Sequence, residues 1–225
     1  MLPADLSTAV QQCCDALAGA LEESQARLWR ADFRFEGLKL LPIVARLDAH
    51  LSTQDAAACV VFPDMGAAAL ARRDLDLPAQ RCGTFADVCA GRCGGGAGLF
   101  IAVAPTAAEF DAFATFCKAV AAAPVVMLNG DLEDAAVGIG SVARERRRSF
   151  LSGWRVAYGL YPLDGAALRR AHPGPWELYR EDNDGYRAVK GFDERPDAEA
   201  IGTALGRDQG TAGLAGLDGF LQALG

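Results

Sequence analysis

Three short runs of unbroken apolar residues, Ala58–Phe62, Gly98–Ala104 and Val125–Leu128, constrain this chain more than any other feature. Each is strand length, and none shows the alternation of a strand with one wet face. Helical stretches separate them. After Phe62, Pro63 and Asp64 lead into an alanine-rich segment from Met65 to Arg73. After Ala104, Thr106 and Glu109 have the spacing of a capping box, and Phe110, Phe113, Phe116, Cys117 and Val120 follow on one helical face. Continuous apolar strands alternating with amphipathic helices predict β-α-β units, with a parallel sheet buried on both faces.

The flanking segments extend this pattern. Val10, Cys14, Leu17 and Leu21 predict an opening helix that ends near Glu23. Trp29, Ala31, Phe33 and Phe35 alternate with Arg30, Asp32 and Arg34, which predicts a half-buried strand. Pro42, with Leu40, Val44, Leu47 and Leu51 at helical spacing, predicts a second helix. Beyond Asn129 the rhythm changes to a loop over 131–140, a charged helix from Val142 to Leu151, and a strand from Trp154 to Tyr161 that ends at Pro162. Trp176–Arg180 and Tyr186–Gly191 flank an acidic turn, as in a β-hairpin. A helix opened by Pro196 and stopped by Gly206 follows. Leu214, Leu217, Phe220, Leu221 and Leu224 then predict a last amphipathic helix. The expected fold is α/β: a central, mostly parallel, Rossmann-like three-layer sheet with an antiparallel C-terminal β-hairpin extension. The loose segments are too short to divide the chain, so residues 1–225 are read as one domain.

Composition narrows the function. A formal charge of −7 excludes a general nucleic-acid binder, whose phosphate contacts need a basic footprint. No apolar run reaches the roughly 20 residues of a membrane span. The seven cysteines (Cys13, Cys14, Cys59, Cys82, Cys89, Cys93 and Cys117) are odd in number and irregular in spacing, and they read as reduced thiols. Cys82, Cys89 and Cys93 lie close together, but with only His50 and His172 and no second cysteine pair no metal site is expected. No cofactor is expected either. The glycine-rich stretch Gly91–Gly98 precedes a strand, does not join a strand to a helix, and lacks the Lys-Ser/Thr of a phosphate loop, so it reads as a flexible connector. Met1–Asp5 has neither signal-peptide nor transit-peptide character, which fits either a protein that is not imported or one whose leader has been removed.

Two groups of residues are candidates for function. Asp64, Thr106 and Asn129 each follow an apolar strand and fall on the carboxyl edge of a parallel sheet, where open α/β sheets bind ligands. The same residue types also cap helices and turn chains. Arg144, Arg147 and Arg148 share a helix face and suit an anionic partner surface or a solvated face paired with carboxylates such as Glu145. His172, in a proline-rich turn before Trp176, has no nucleophile motif to serve as a general base.

Several segments form a further pattern in order: Val125-Val126-Met127-Leu128-Asn129, Leu132-Glu133-Asp134, Arg144 through Phe150-Leu151, Tyr158-Gly159-Leu160-Tyr161-Pro162-Leu163 and His172-Pro173-Gly174-Pro175-Trp176, with Arg195-Pro196 after the hairpin. Leu2-Pro3, Phe62-Pro63-Asp64-Met65-Gly66 and Ala104-Pro105 agree with it. Together they resemble a plant and algal domain-of-unknown-function family, numbered nineteen ninety-five, found in the low photosystem II accumulation proteins and appended to a chloroplast adenylate kinase. Gly130 stands where that family often has proline, and His172 where tyrosine is usual. The family supplies no reaction to transfer. The resemblance implies a chloroplast protein of the stroma or the stromal face of the thylakoid, with no membrane span, its cysteines reduced and its transit peptide removed. Its expected role is non-enzymatic: docking on a photosynthetic complex or its assembly factors. Arg144, Arg147, Arg148, Trp154, Tyr158, His172 and Trp176 are the expected contact residues, since Arg, Trp and Tyr dominate binding hot spots. The alternative is a nucleotide or phosphometabolite binding protein, or an enzyme, that uses Asp64, Thr106 and Asn129.

Overall fold

The computed structural model of the chain describes residues 1–23, 26–52, 57–132 and 141–207. Among them nine strands form one sheet in the order β3-β2-β4-β5-β1-β6-β7-β8-β9. Strands β1 (Leu28–Phe33), β2 (Ala58–Phe62), β3 (Cys82–Thr84), β4 (Leu99–Val103), β5 (Val125–Leu128) and β6 (Arg155–Leu163) run parallel. From β6 the direction alternates through β7 (Ala166–Ala171), β8 (Trp176–Asp182) and β9 (Gly185–Phe192). The expected α/β class, parallel in the core and antiparallel toward the C-terminus, is the observed one.

Helices lie on both faces because the parallel strands are apolar on both. Strands β2, β4 and β5 are buried along their whole length. Their Val60, Ile101 and Leu128 pack with Leu17 of α1 (Leu6–Glu23), Val44 and Leu47 of α2 (Leu41–Leu51) and Ala68 of α3 (Met65–Asp74). On the opposite face Val61, Phe100 and Met127 pack with Phe85 of α4 (Phe85–Cys89), Phe113 and Phe116 of α5 (Phe110–Ala119) and Phe150 of α6 (Ser141–Ser152). A third, smaller core joins Tyr161, Leu168, Trp176 and Leu178 of the antiparallel strands to Ile201 and Leu205 of α7 (Ala198–Leu205). The Asp197 carboxylate accepts from Ala200 N–H at 2.8 Å to start α7, and Gly206, at φ +73°, stops it.

Four sequence expectations change. The alternation of β1 predicts a strand with one wet face, yet β1 lies mid-sheet and Asp32 is fully buried, because its polar side chains neutralise one another. The extension is larger than a hairpin, since Ala166–Ala171, with two arginines in six residues, forms β7 between β6 and β8. The segment between α3 and β4 holds the short β3 and α4, joined by a capping box in which Thr84 and Asp87 reciprocally bond each other's amides. The glycine-rich stretch is an ordered loop. Gly94 donates to the Gln80 carbonyl at 2.8 Å, and a Cβ on it would meet the Phe100 ring at 2.7 Å. The loop expected over 131–140 and the helix expected over Leu214–Leu224 lie largely or wholly outside the described residues.

The second core is held by a run of rings. Phe113 has centroid separations of 5.2 Å to Phe85, 6.0 Å to Phe150 and 5.5 Å to Trp154. Truncating it opens a void that links α4, α5 and α6, and Phe113→Ala should lower unfolding free energy by about 3–5 kcal/mol. Urea denaturation reads this directly, and a loss under about 1 kcal/mol would mean that the helices close the gap.

Candidate functional site

The sheet has a switch point between β1 and β5. Strand β1 leads into α2 on one face, while β5 precedes α6 on the other, so the chain leaves the two neighbouring strands in opposite directions. Such a divergence opens a crevice in α/β sheets. Here the Asn129 side chain bridges the two strand ends. Asn129, at φ +52°, turns the main chain away from β1, and its carboxamide continues the ladder in place of the backbone. It accepts from Phe33 N–H at 2.7 Å and donates to the Phe33 carbonyl at 2.7 Å.

Asp32 lies on the other face of the same strand end. Arg30, Asp32 and Arg34 are two residues apart, so all three project from one side of β1. Arg30 approaches the Asp32 carboxylate at 3.0 Å and Arg34 at 3.1 Å, and the Tyr161 hydroxyl donates to it at 2.8 Å. Arg34 also donates to the Gly130 carbonyl, tying the end of β1 to the loop after β5. Burial, reinforced by the adjacent Asp32 charge, raises the Tyr161 phenol above its ordinary range and keeps it a donor. The Arg195 guanidinium sits 4.7 Å above the Tyr161 ring and 5.8 Å from that of Trp176. One carboxylate and three guanidiniums are thus gathered on this side of β1, β6 and β8.

The other expected ligand residues are also engaged. Asp64 caps α3, accepting from Ala67 N–H at 2.9 Å. Thr106 and Glu109 form the expected box, with Thr106 N–H donating to the Glu109 carboxylate at 3.1 Å, and Thr106 bridges to Asp131. The edge therefore brings Thr106 beside the loop of Asn129, while Asp64 follows β2, two positions along the sheet from β5.

The expected contact residues separate. Trp154, Tyr158 and Trp176 are buried in three different cores and cannot form an outer face. The Arg144 side chain lies outside the described residues. Arg147 is half-buried, 4.7 Å above the Phe110 ring and 3.6 Å from Asp111, and Arg148 is exposed. The half-buried His172 ring meets Trp29 edge-on at 5.4 Å. Sequence reasoning missed Asp32, Tyr161, Arg170 and Arg195. For Asp32 a signal existed: a carboxylate flanked at i−2 and i+2 by arginines within an apolar alternation.

Six of the seven thiols are held in the protonated form by burial. Burial raises Cys14 and Cys82 to about 11 and Cys117 to about 12, and it raises Cys13, Cys59 and Cys93 as well. Cys89 is the exposed one. No group of three His, Cys, Asp or Glu side chains among the described residues is placed to hold a metal ion.

The fold and this edge define the class: a doubly wound α/β protein with an antiparallel extension, its switch point bridged by the Asn129 side chain. Within that class the chain belongs to the family described as Domain of unknown function (DUF1995), whose profile matches residues 3–203. Comparison with curated proteins returned no match.

Asp32→Ala should leave Arg30 and Arg34 without their buried counter-charge and cost about 3–5 kcal/mol in urea unfolding. A variant as stable as the parent would show that the cluster is dispensable. The thiols give a pH dependence. Below pH 9, their ordinary value, both folded and unfolded chains keep these protons. Between 9 and the folded values of about 11 and 12 only the unfolded chain ionises, so stability falls as pH rises through that window. The unfolding midpoint should be level below pH 9 and decline above it, and an increase above pH 9 would contradict this.

Proposed function

We propose that the protein is a non-enzymatic accessory factor of the chloroplast that docks on a photosynthetic complex or its assembly factors. The observation that carries the docking role is the open edge of the sheet. Among the described residues strand β9 ends the sheet, and all its residues from Gly185 to Gly191 are exposed. An edge of this length presents main-chain donors and acceptors to which an extended segment of another protein adds as a further strand. Tyr186 and Val189 are 48% and 36% exposed, apolar surface of the kind such a segment covers. Arg187 and Lys190 place positive charge beside them. Arg187 is already paired with Asp182 at 3.1 Å, and Lys190 rests 5.0 Å from the Phe192 ring. An extended segment with carboxylates facing Lys190 suits this strip.

The placement in the chloroplast and the link to photosystem accumulation rest on the family resemblance, which covers most of the chain. The alternative, a nucleotide or phosphometabolite site at Asp64, Thr106 and Asn129, would require a ligand to displace two helix caps and the Asn129 clamp. That makes docking the better-supported reading.

A photoreactive residue at position 186 of the full chain, with position 70 on α3 as an exposed control, tests this in chloroplast extract. Photosystem subunits or assembly factors should be captured from 186 and not from 70, and Lys190→Glu should reduce that capture without moving the melting temperature. Equal capture at both positions, or capture of unrelated stromal enzymes alone, would overturn the proposal.

A further inference from the structure

Two sulfurs meet where β2 faces the glycine-rich loop. Cys59 of β2 is paired with Phe100 of β4, and Cys93 lies in the loop that leads into β4; both are buried in the second core. Two glycines make room for the approach. A Cβ on Gly83 of β3 would lie 2.6 Å from the Cys93 sulfur, so that sulfur occupies the space of a missing side chain beside β2. A Cβ on Gly94 would lie 3.5 Å from the Cys59 sulfur, and Gly94 is fixed there by its bond to the Gln80 carbonyl. Burial raises both thiols; between the two, Cys59 S–H is the donor toward the Cys93 sulfur, which lowers Cys93 against its own burial. Cys82 belongs to the other face of the sheet, where its S–H lies 3.6 Å from the Ala68 carbonyl. A cleft of about 310 Å³ between Val88, Gly91, Gly95 and Val120 has Cys93 in its wall, whereas Cys59 is 1% exposed.

We infer that Cys59 and Cys93 form a modification site that hydrogen peroxide closes to a reversible disulfide within the chain. The oxidant is water-sized and reaches Cys93 through the cleft, so Cys93 reacts first. Its ionised sulfur attacks one peroxide oxygen, the O–O bond breaks, and the departing hydroxide takes a proton to become water, leaving a sulfenic acid on Cys93. Cys59 then loses its proton and its sulfur bonds to that of Cys93, while the S–O bond breaks and the second oxygen leaves as water. Two thiols and one peroxide thus give one disulfide and two waters, and the two electrons lost by sulfur go to oxygen. A dithiol reverses the step by exchange. Because burial keeps the thiols protonated, closure is slow and answers sustained oxidant. The bond would tie β2 to the glycine-rich loop, and it is independent of strand addition at β9.

The test uses the full chain carrying Cys89→Ser, which removes the exposed thiol. The folded protein is treated with hydrogen peroxide, then unfolded and alkylated, and its peptides are mapped by mass spectrometry. A linked pair joining Cys59 to Cys93 should appear, lighter by two hydrogens than the separate peptides, and dithiothreitol should abolish it. The oxidised protein should melt about 5–10 °C higher, since the bond closes a long loop in the unfolded chain. In a Cys59→Ser variant the sulfenic acid should persist on Cys93, where dimedone traps it. If that variant fails to fold, the map of the Cys89→Ser protein decides alone. Recovery of both Cys59 and Cys93 in alkylated form would overturn the inference. So would a bond from either one to another cysteine, or oxidation of Cys93 to a sulfinic acid with no link formed.

Discussion

The burial of Asp32 governs much of this molecule. A carboxylate with no exposed surface in the middle strand of a sheet is tolerated only if opposite charge and hydrogen bonds replace its water. Arg30 and Arg34 supply the charge from the same strand, and Tyr161 supplies a hydroxyl from the neighbouring one. The arrangement fixes more than one ionic contact. It requires β6 to lie beside β1 in the register that brings Tyr161 over Asp32, and β6 is where the sheet passes from its parallel to its antiparallel half. Through Arg34 it also reaches the Gly130 carbonyl, so the strand on the other side of β1 is held to the same centre.

The parallel half was legible in the sequence, and for a physical reason. Strands buried on both faces must be apolar at every position, and Ala58–Phe62 and Val125–Leu128 are. Strand β1 was misread because the same reasoning equates a polar alternate position with water. Arg30, Asp32 and Arg34 satisfy one another, and pair energetics of this kind leave no trace in periodicity. β7 was missed for a related reason: its Arg169 reaches Gln12 and Glu177, so a polar strand is stabilised by partners distant in the chain.

The candidate site was legible only in part. The residue types at the strand ends correctly mark the edge of the sheet, but Asn129 uses its carboxamide to lengthen a ladder, a role that depends on where Phe33 lies. The aromatic residues between Trp154 and Trp176 look like a binding surface when they are counted along the chain. Pleating sends them instead into separate cores.

The two ends of the sheet differ in a way that limits assembly. At one end β3 is three residues long and buried; at the other β9 is eight residues long and open. Two copies that met through β9 would merge into one larger sheet bounded by a β3 strand on each side. Neither margin could take on another molecule, and growth would stop at the pair. A protein shaped in this way can offer its strand edge to a partner without seeding an endless fibre, because its own topology caps the polymer.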